Sequence, residues 1–210
     1  MPFCYNSPRR LSRHLISLRD VDRANQQVTA EMDRLGLWCP RLNDVTVWLV
    51  PVSLGCYGWF LPEGDIYVPA VTGAQLADLV LGHHTRLTDV LRHEWAHALA
   101  DRRPEFVKTK RFYKVFGGAY ESSEPVREYD PDHHLTPYAA TTPCEDFAET
   151  FHFYLRHKGR LPLRLQAKSV IARKWDFIAT EARYFRTATV PQLEIRHRLE
   201  INESFSKIIN

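Results

Sequence analysis

Apolar residues recur at helical spacing in two well-separated stretches of the chain, residues 86–101 and 143–158. Both stretches are predicted to be helices, because apolar positions three or four residues apart form one helix face. The first must end before Pro104, since the residue before a proline is disfavoured in a helix. Thr142 suits the N-cap of the second helix, and Gly159 suits its end.

The rest of the pattern predicts strands before most of the helices. Residues 45–50 form a β-branched apolar run, and residues 56–68 surround a turn, so a strand and a hairpin are predicted there. Residues 105–141 contain several prolines and a Gly-Gly pair, and we predict a long irregular segment. Further helices are predicted over residues 19–35, 74–81, 165–186 and 191–208.

This order of elements predicts an α+β fold, with a mixed sheet near the N-terminus and a helical part after it. A length of 210 residues fits one domain, 1–210, with a sheet lobe over about 1–104 and a helical lobe over about 105–210. Hydrophobic residues make up 44% of the chain, which is enough for a substantial core. A net charge of +3 is too small to require nucleic acid as a partner.

No apolar run suits a signal peptide or a membrane span, so the sequence predicts a cytoplasmic protein with no membrane partner. Export by a route without an N-terminal signal stays open. The cysteines, Cys4, Cys39, Cys56 and Cys144, contain no Cys-x-x-Cys pair. That spacing excludes a cysteine zinc knuckle and predicts free thiols.

The residues that carry chemistry are His93-Glu94-Trp95-Ala96-His97. On a helix, His93 and His97 lie one turn apart on the same face, so both can reach a single ion. Two neutral imidazoles suit Zn²⁺, and Glu94 can accept a proton from a zinc-bound water. We therefore predict one zinc ion per chain. The alternative is an amphipathic helix with two histidines at or near the surface.

A catalytic zinc site needs a third protein ligand. Glu145 and Glu149 share one face of the second predicted helix. Glu145 also fits a capping box with Thr142, and Glu149 also fits a solvated face or a partner of a zinc-binding histidine. Asp101 could bind the metal, orient a histidine or end its helix. Histidines outside the motif rank lower as candidates. Two of them could bind metal or face solvent, His133 and His134. The others are expected at the surface: His83, His84, His152 and His157.

Tyr138 lies just before the second predicted helix. A phenol there could donate a hydrogen bond to the oxyanion formed when water attacks an amide. The alternative is a loop tyrosine that packs on its neighbours.

Together these residues, over 93–149, resemble the active-site pattern of the lethal-factor-like zincins. This gluzincin group includes the catalytic domain of anthrax lethal factor, the Pro-Pro endopeptidases and the MtfA-like peptidases. The resemblance implies a zincin fold and a zinc-dependent metalloendopeptidase with a protein or peptide substrate. It does not extend to the rest of the chain, so it does not imply a particular substrate. The roles that it implies are metal ligand for His93, His97 and Glu145, general base for Glu94, and oxyanion donor for Tyr138.

The resemblance also implies an edge strand beside the metal, to which an extended peptide can add, and residues 56–60 are the candidate. The alternative is an ordinary hairpin with no such role. Basic residues cluster at 102–114 and 156–174, where they form solvated helix faces or bind an acidic substrate or DNA. A DNA-associated protease of the SprT type is therefore one alternative function. It would need a third histidine ligand, which the sequence does not obviously place.

A second alternative function is a catalytically silent zincin fold that acts as a binding module. The presence of Glu94 disfavours it.

Overall fold

The computed structural model describes residues 15–62, 64–73, 85–123 and 128–185. Its strands and helices confirm the predicted α+β class. Among the described residues, no helix combines the length and the apolar character needed to cross a membrane. The predicted helices at 74–81 and 191–208 lie outside these ranges. The strands are β1 (Val47–Ser53), β2 (Trp59–Phe60) and β3 (Ile66–Thr72). The helices are α1 (Leu18–Leu35), α2 (Leu87–Arg102), α3 (Pro104–Val107), α4 (Lys110–Phe116), α5 (Pro143–Arg156), α6 (Leu163–Gln166) and α7 (169–185).

Helix α1 confirms the prediction for residues 19–35 and has strong signals at both ends. The Ser17 hydroxyl accepts from the Asp20 amide, while the Asp20 carboxylate accepts from the Ser17 amide. This reciprocal capping box satisfies two amides that the helix itself leaves without partners. The helix ends at Gly36, whose φ of 75° is a left-handed conformation that favours glycine. Its buried face carries Val21, Ala24, Val28 and Met32.

The three strands form one mixed sheet in the order β1-β3-β2, with β2 at one edge. Strands β1 and β3 pair in parallel, while β2 and β3 form the predicted antiparallel hairpin, with Trp59 opposite Tyr67. The edge strand is shorter than residues 56–60, because only Trp59–Phe60 pair with β3. Just before it, Gly58 lies so close to α2 that a Cβ there would come 2.9 Å from Val90 Cγ1. The lack of a side chain therefore lets the sheet edge approach α2.

The prediction of an irregular segment over residues 105–141 is wrong for part of its length. Helices α3 and α4 lie there, and Tyr138–Ala140 form a short 3₁₀ turn. The Thr109 hydroxyl caps α4 by accepting from the Phe112 amide. Phe112 and Phe116, one turn apart, bury the helix in the core. Tertiary packing of this short amphipathic face stabilises a helix that is too short to be stable alone.

Helix α2 lies in the middle of the core, where it packs against α1, β2 and α5. Trp95 of α2 is buried, and its indole Nε1 donates to Asn25 of α1 at 2.8 Å. The predicted helix at 165–186 is two helices, α6 and α7, separated at residues 167–168. Helix α7 completes the core, where the Phe177 ring stacks on Phe106 at 5.2 Å. Because α2 and α5 are fixed from several sides, the side chains between them are held in a defined arrangement.

Candidate metal centre

Helix α2 carries His93 and His97 one turn apart, on the side that packs against α5. Their ring centroids are 4.9 Å apart, and the two Nε2 atoms are 3.2 Å apart. The two side chains are only 13% and 16% exposed. The pair therefore presents two adjacent nitrogen atoms in a sheltered place, as the spacing of the motif predicts.

Helix α5 adds the Glu145 carboxylate to this pair. Glu145 Oε2 lies 3.0 Å from His93 Nε2 and 3.6 Å from His97 Nε2. Tetrahedral zinc with bonds of about 2.0–2.1 Å has its ligand atoms roughly 3.3–3.4 Å apart. The three atoms thus form a triangle of the size that one small metal ion needs. His93, His97 and Glu145 could hold a metal ion.

At the start of α5, Thr142 caps the helix, and the Glu145 side chain takes no part in the cap. The Thr142 hydroxyl accepts from the Glu145 backbone amide at 3.3 Å, so the cap uses only the main chain of Glu145. Its carboxylate lies against His93 and His97 instead. Glu145 Oε2 is buried, and the polar atoms it faces are the Nε2 atoms of His93 and His97. A buried carboxylate is costly unless a cation or hydrogen-bond donors accompany it.

The electrostatics of the triad describe a site that attracts positive charge. Burial of the Glu145 carboxyl disfavours its ionised form, but hydrogen bonds from His93 and His97 outweigh burial and hold its pKa well below the usual range. Burial likewise disfavours the charged form of His93, but hydrogen bonds to Glu145 and Glu149 raise its pKa to about 10. Without a metal, a proton on His93 therefore supplies the positive charge that the carboxylates favour.

Glu149 contacts the opposite edge of the His93 ring. Its Oε1 lies 2.9 Å from His93 Nδ1, and its Oε2 accepts from the Thr136 hydroxyl at 2.9 Å. The Ala139 amide in turn donates to the Thr136 hydroxyl. Burial raises the pKa of Glu149, but hydrogen bonds with His152 and His93 outweigh burial and lower that pKa to about 2. The chain of contacts orients the His93 ring so that Nε2 is left to face Glu145 and His97.

Tyr120 has the same relation to the second histidine, although no motif in the sequence points to it. Its hydroxyl lies 2.9 Å from His97 Nδ1. Burial raises the pKa of this phenol well above its ordinary value, so the hydroxyl stays protonated. No spacing rule links Tyr120 to the motif, because it lies in a loop between α4 and α5. The only local signal is the Gly117-Gly118 turn just before it.

Glu94 lies in the same cavity as the triad but is not one of its three members. The side chain is nearly buried, at 6% exposed, beneath the edge strand. Burial raises its pKa, while the charges of His93 and His97 and a hydrogen bond from the Phe60 amide lower it, and burial prevails. A buried carboxyl whose pKa is raised is suited to accept and return protons.

Tyr138 lies at the mouth of this cavity, in the 3₁₀ turn before α5. Its ring centroid is 5.7 Å from that of His93, and its hydroxyl makes a hydrogen bond with Glu145. Burial, followed by the charge of Glu145, raises the pKa of the phenol. The hydroxyl is therefore a protonated donor beside the triad.

The cavity in front of the triad has a volume of about 440 Å³. Trp59 and Phe60 of the edge strand form one wall, and α2, Tyr120 and Tyr138 form others. Asp101 also lines the wall, beside Arg102. The hydrogen-bond partner of His97 Nδ1, however, is the Tyr120 hydroxyl.

Of the other candidate histidines, none in the described ranges joins the triad. His133 is half-exposed, and His134 is buried against a different part of the core. The expectation that His152 lies at the surface is wrong, since it is 8% exposed and its Nε2 lies 3.2 Å from Asp89 Oδ1. His157 contacts the Trp175 ring. Two predicted candidates fall outside the described residues, His83 and His84.

The described cysteines carry free thiols, as predicted: Cys39, Cys56 and Cys144. Cys144 lies in the wall of the cavity, with its sulfur 3.1 Å from the Thr142 hydroxyl. Burial raises the pKa of this thiol, so it stays protonated at neutral pH. Cys4 lies outside the described residues.

Comparisons of the chain with models of known protein families, with curated proteins and with solved structures find no match. The assignment of a function therefore depends on the chemistry of the site.

Proposed function

We propose that this protein is a zinc-dependent endopeptidase. The observation that carries the proposal is the triangle of His93, His97 and Glu145, which shares one cavity with Glu94. A metal-binding group alone would fit a structural site. A nearly buried carboxyl beside the group, with its pKa raised by burial, is what catalysis by an activated water requires in addition.

The donor atoms favour zinc over other metals. Two imidazole nitrogens and one carboxylate oxygen are the ligands of many catalytic zinc sites, which keep a fourth position open for water. Harder cations such as Mg²⁺ and Ca²⁺ prefer sites made mainly of oxygen ligands. Glu149 on His93 and Tyr120 on His97 fit the same interpretation, because metal-binding imidazoles usually have a hydrogen-bond partner on their other nitrogen.

A zinc ion in this site would lower the pKa of a bound water toward about 7 and polarise a carbonyl group. The protein's own residues would handle the protons. Glu94 would accept the proton of the attacking water and pass it to the leaving amine. Tyr138, whose hydroxyl would turn from Glu145, would donate a hydrogen bond to the oxygen of the tetrahedral intermediate.

The shape of the cavity supports a peptide as the substrate. Strand β2 is at the edge of the sheet and forms a wall of the cavity, so an extended chain could lie along it. The resemblance of residues 93–149 to the lethal-factor-like zincins points to the same reaction. That resemblance assigns the same five residues to ligand, base and oxyanion-donor roles.

The charge distribution gives less support to a DNA-associated protease. Several cations of the basic stretch at 102–114 already have acidic partners within the protein. Lys108 pairs with Glu121 at 2.7 Å, and Arg111 pairs with Glu181 at 3.3 Å. In addition, the third residue of the triad is a glutamate, whereas SprT-like proteases use a histidine.

The decisive experiment compares the parent protein with Glu94→Gln. Both should bind about one zinc ion per chain, measured by elemental analysis. Only the parent should generate new peptide termini from a peptide library, measured by mass spectrometry. Losing a positioned acid–base group should lower turnover by roughly 10²–10⁴-fold. Glu128→Gln, an exposed carboxylate outside the cavity, is the matched control and should cleave like the parent.

Two results would contradict the proposal. A parent protein that takes up no zinc at micromolar concentrations would remove the metal centre. A parent that binds zinc tightly but cleaves no peptide would favour the silent binding module.

A further inference from the structure

A second cavity, with a volume of about 520 Å³, adjoins the one in front of the metal centre. It lies over α4 and the residues just before that helix. We call it the lysine cavity because its lining includes Lys108, Lys110 and Lys114. The two cavities have four lining residues in common, Val107, Lys108, Tyr120 and Glu121. A chain bound over the metal centre could therefore continue directly into the lysine cavity.

The lysine cavity has an excess of positive charge. Among the described residues that line it, Glu121 is the one acidic residue, and it is already paired with Lys108 at 2.7 Å. Lys110 and Lys114 are exposed and lie one turn apart on α4. The ion pairs within the described residues include neither of them. By contrast, Arg111 on the same helix pairs with Asp176 and Glu181.

The lining of the lysine cavity also includes apolar and aromatic residues. Val107 is buried, and Tyr113, on the same helix as Lys110 and Lys114, is 59% exposed. Tyr120 separates this surface from the metal centre, where its hydroxyl lies 2.9 Å from His97 Nδ1. A cavity with an apolar wall and a cationic rim fits a side chain that has an aliphatic stem and an anionic end.

We propose that the lysine cavity is a substrate subsite, which binds an aspartate or glutamate side chain of the peptide that is cut at the metal centre. The inference rests on the proposed endopeptidase function, and it adds acidic peptides as the substrate class. Lys110 and Lys114 provide the charge that pairs with the acidic side chain. The Lys108–Glu121 pair stands at the boundary between the two cavities.

The first test digests a peptide library with the full-length zinc-loaded protein. The parent should enrich aspartate or glutamate at one fixed position away from the cut bond. The double variant Lys110→Gln, Lys114→Gln should lose this enrichment and keep the preferences next to the cut bond. The double variant Arg164→Gln, Arg173→Gln removes two exposed cations that line neither cavity, so it should cleave like the parent.

The second test measures binding without turnover. A rhodamine-labelled peptide of alternating glutamate and alanine is titrated into Glu94→Gln, with the glutamine version of the peptide as control. Removing both lysines should weaken binding of the acidic peptide roughly two- to tenfold, the range for two exposed ion pairs. Adding 0.3 M salt should remove most of the difference, because exposed charges are screened.

The outcomes separate the two proposals. Cleavage that depends on Glu94 but shows no acidic preference would overturn the subsite and leave the endopeptidase intact. An acidic preference that survives the loss of both lysines would overturn it as well. Tighter binding of a single-stranded oligonucleotide than of the acidic peptide, lost in the same lysine variant, would make the cavity a nucleic-acid site. If the parent cleaves no peptide, the endopeptidase proposal is contradicted, and the subsite proposal, which rests on it, is contradicted with it.

Discussion

Glu145 and Asp146 are neighbours in sequence, yet they belong to two different buried clusters. Glu145 faces the two histidines of α2. Asp146, on another face of α5, is 1% exposed and pairs with Lys174 of α7 at 2.6 Å. His134 lies beside this pair and is also buried. We call the three residues Asp146, Lys174 and His134 the Asp146 cluster.

The two clusters differ in how their charges are compensated. In the Asp146 cluster one lysine faces one aspartate, so the protein supplies the counter-charge itself. In the metal centre Glu94, Glu145 and Glu149 surround two histidines, and the hydrogen bonds that lower the pKa values of Glu145 and Glu149 come from histidines. Neutral imidazoles would leave these carboxylates without a cation. A metal ion bound by His93, His97 and Glu145 would take the place of the proton on His93, whereas the Asp146 cluster already contains its own cation, Lys174.

The Asp146 cluster has a structural task that affects the metal centre only indirectly. Lys174 Nζ also donates to the carbonyl oxygen of His133, and Lys168 donates to that of Pro131. These contacts fasten the segment that leads to Thr136 and hence to Glu149. One cluster therefore holds the chain in place, and the other could hold a metal ion.

The largest expected effect comes from removing the counter-charge of the Asp146 cluster. Lys174→Met should lower the free energy of unfolding by about 3–5 kcal/mol at pH 7, because it leaves a buried carboxylate without its partner. Adding Asp146→Leu should recover most of the loss, since a buried ion pair can often be replaced by apolar residues. Urea unfolding monitored by circular dichroism measures both. Lys168→Met, the control at a more exposed pair, should cost less than about 1 kcal/mol.

The comparison would fail if Lys174→Met reduced zinc affinity in the folded protein as strongly as a ligand variant does. The two clusters would then be one functional unit.

The second prediction separates the two glutamates of the metal centre. Glu149→Ala should weaken zinc binding roughly 10–100-fold, as is typical of a residue that orients a ligand. Glu145→Ala should weaken it by more than that, because it removes a ligand atom. Competition with a chromophoric chelator gives both affinities. The reverse order would mean that Glu149 is the ligand and that Glu145 acts mainly as the cap of α5.

The third prediction concerns pH. His93 in the metal-free protein has its pKa raised to about 10, so it carries a proton that zinc must displace. Between about pH 6.5 and 8.5, zinc affinity should rise roughly tenfold per pH unit, with about one proton released per ion. Calorimetry in buffers of different ionisation enthalpy counts the protons. Glu149→Gln, which removes one of the charges that raise this pKa, should reduce the number released near pH 8.

The raised pKa of His93 also makes the stability of the metal-free protein depend on pH. The contribution of protonated His93 to the stability of the metal-free protein is fully present below about pH 6.5 and is lost as the pH rises through about 10. Zinc-loaded protein should not show this contribution. A metal-free protein that showed no such loss would mean that His93 is already neutral at pH 7.

The smallest effect is expected from Tyr120→Phe. It removes the hydroxyl that contacts His97 and keeps the buried ring. Zinc affinity should fall toward the lower end of the roughly 10–100-fold range for such partners, with the unfolding free energy changed by about 1 kcal/mol. Tyr113→Phe, a tyrosine outside the metal cavity, is the control for zinc affinity. A large loss of stability with unchanged zinc affinity would give Tyr120 a purely structural role.

Local patterns in the sequence were sufficient for much of the fold. Helices α1, α2 and α5 lie within two residues of the predicted bounds at each end, and the hairpin forms as predicted. Each of these elements has both a periodic apolar face and a stop signal such as Gly36 or Pro104. Helices α3 and α4 were missed, although Thr109, Phe112 and Phe116 together suggest an N-cap and a buried face. Short helices depend on tertiary packing, which no local pattern contains.

The sequence by itself also determined that His93 and His97 share a face and that Glu145 and Glu149 share another, because helical spacing alone requires it. It could not decide which glutamate meets which edge of the His93 ring. That depends on how α5 is placed against α2, which the surrounding core fixes, and the result is Glu145 at Nε2 and Glu149 at Nδ1. The contact of Tyr120 with His97 and the Asp146–Lys174 pair likewise join distant parts of the chain. Only tertiary packing brings such residues together, since their separation in sequence follows no period.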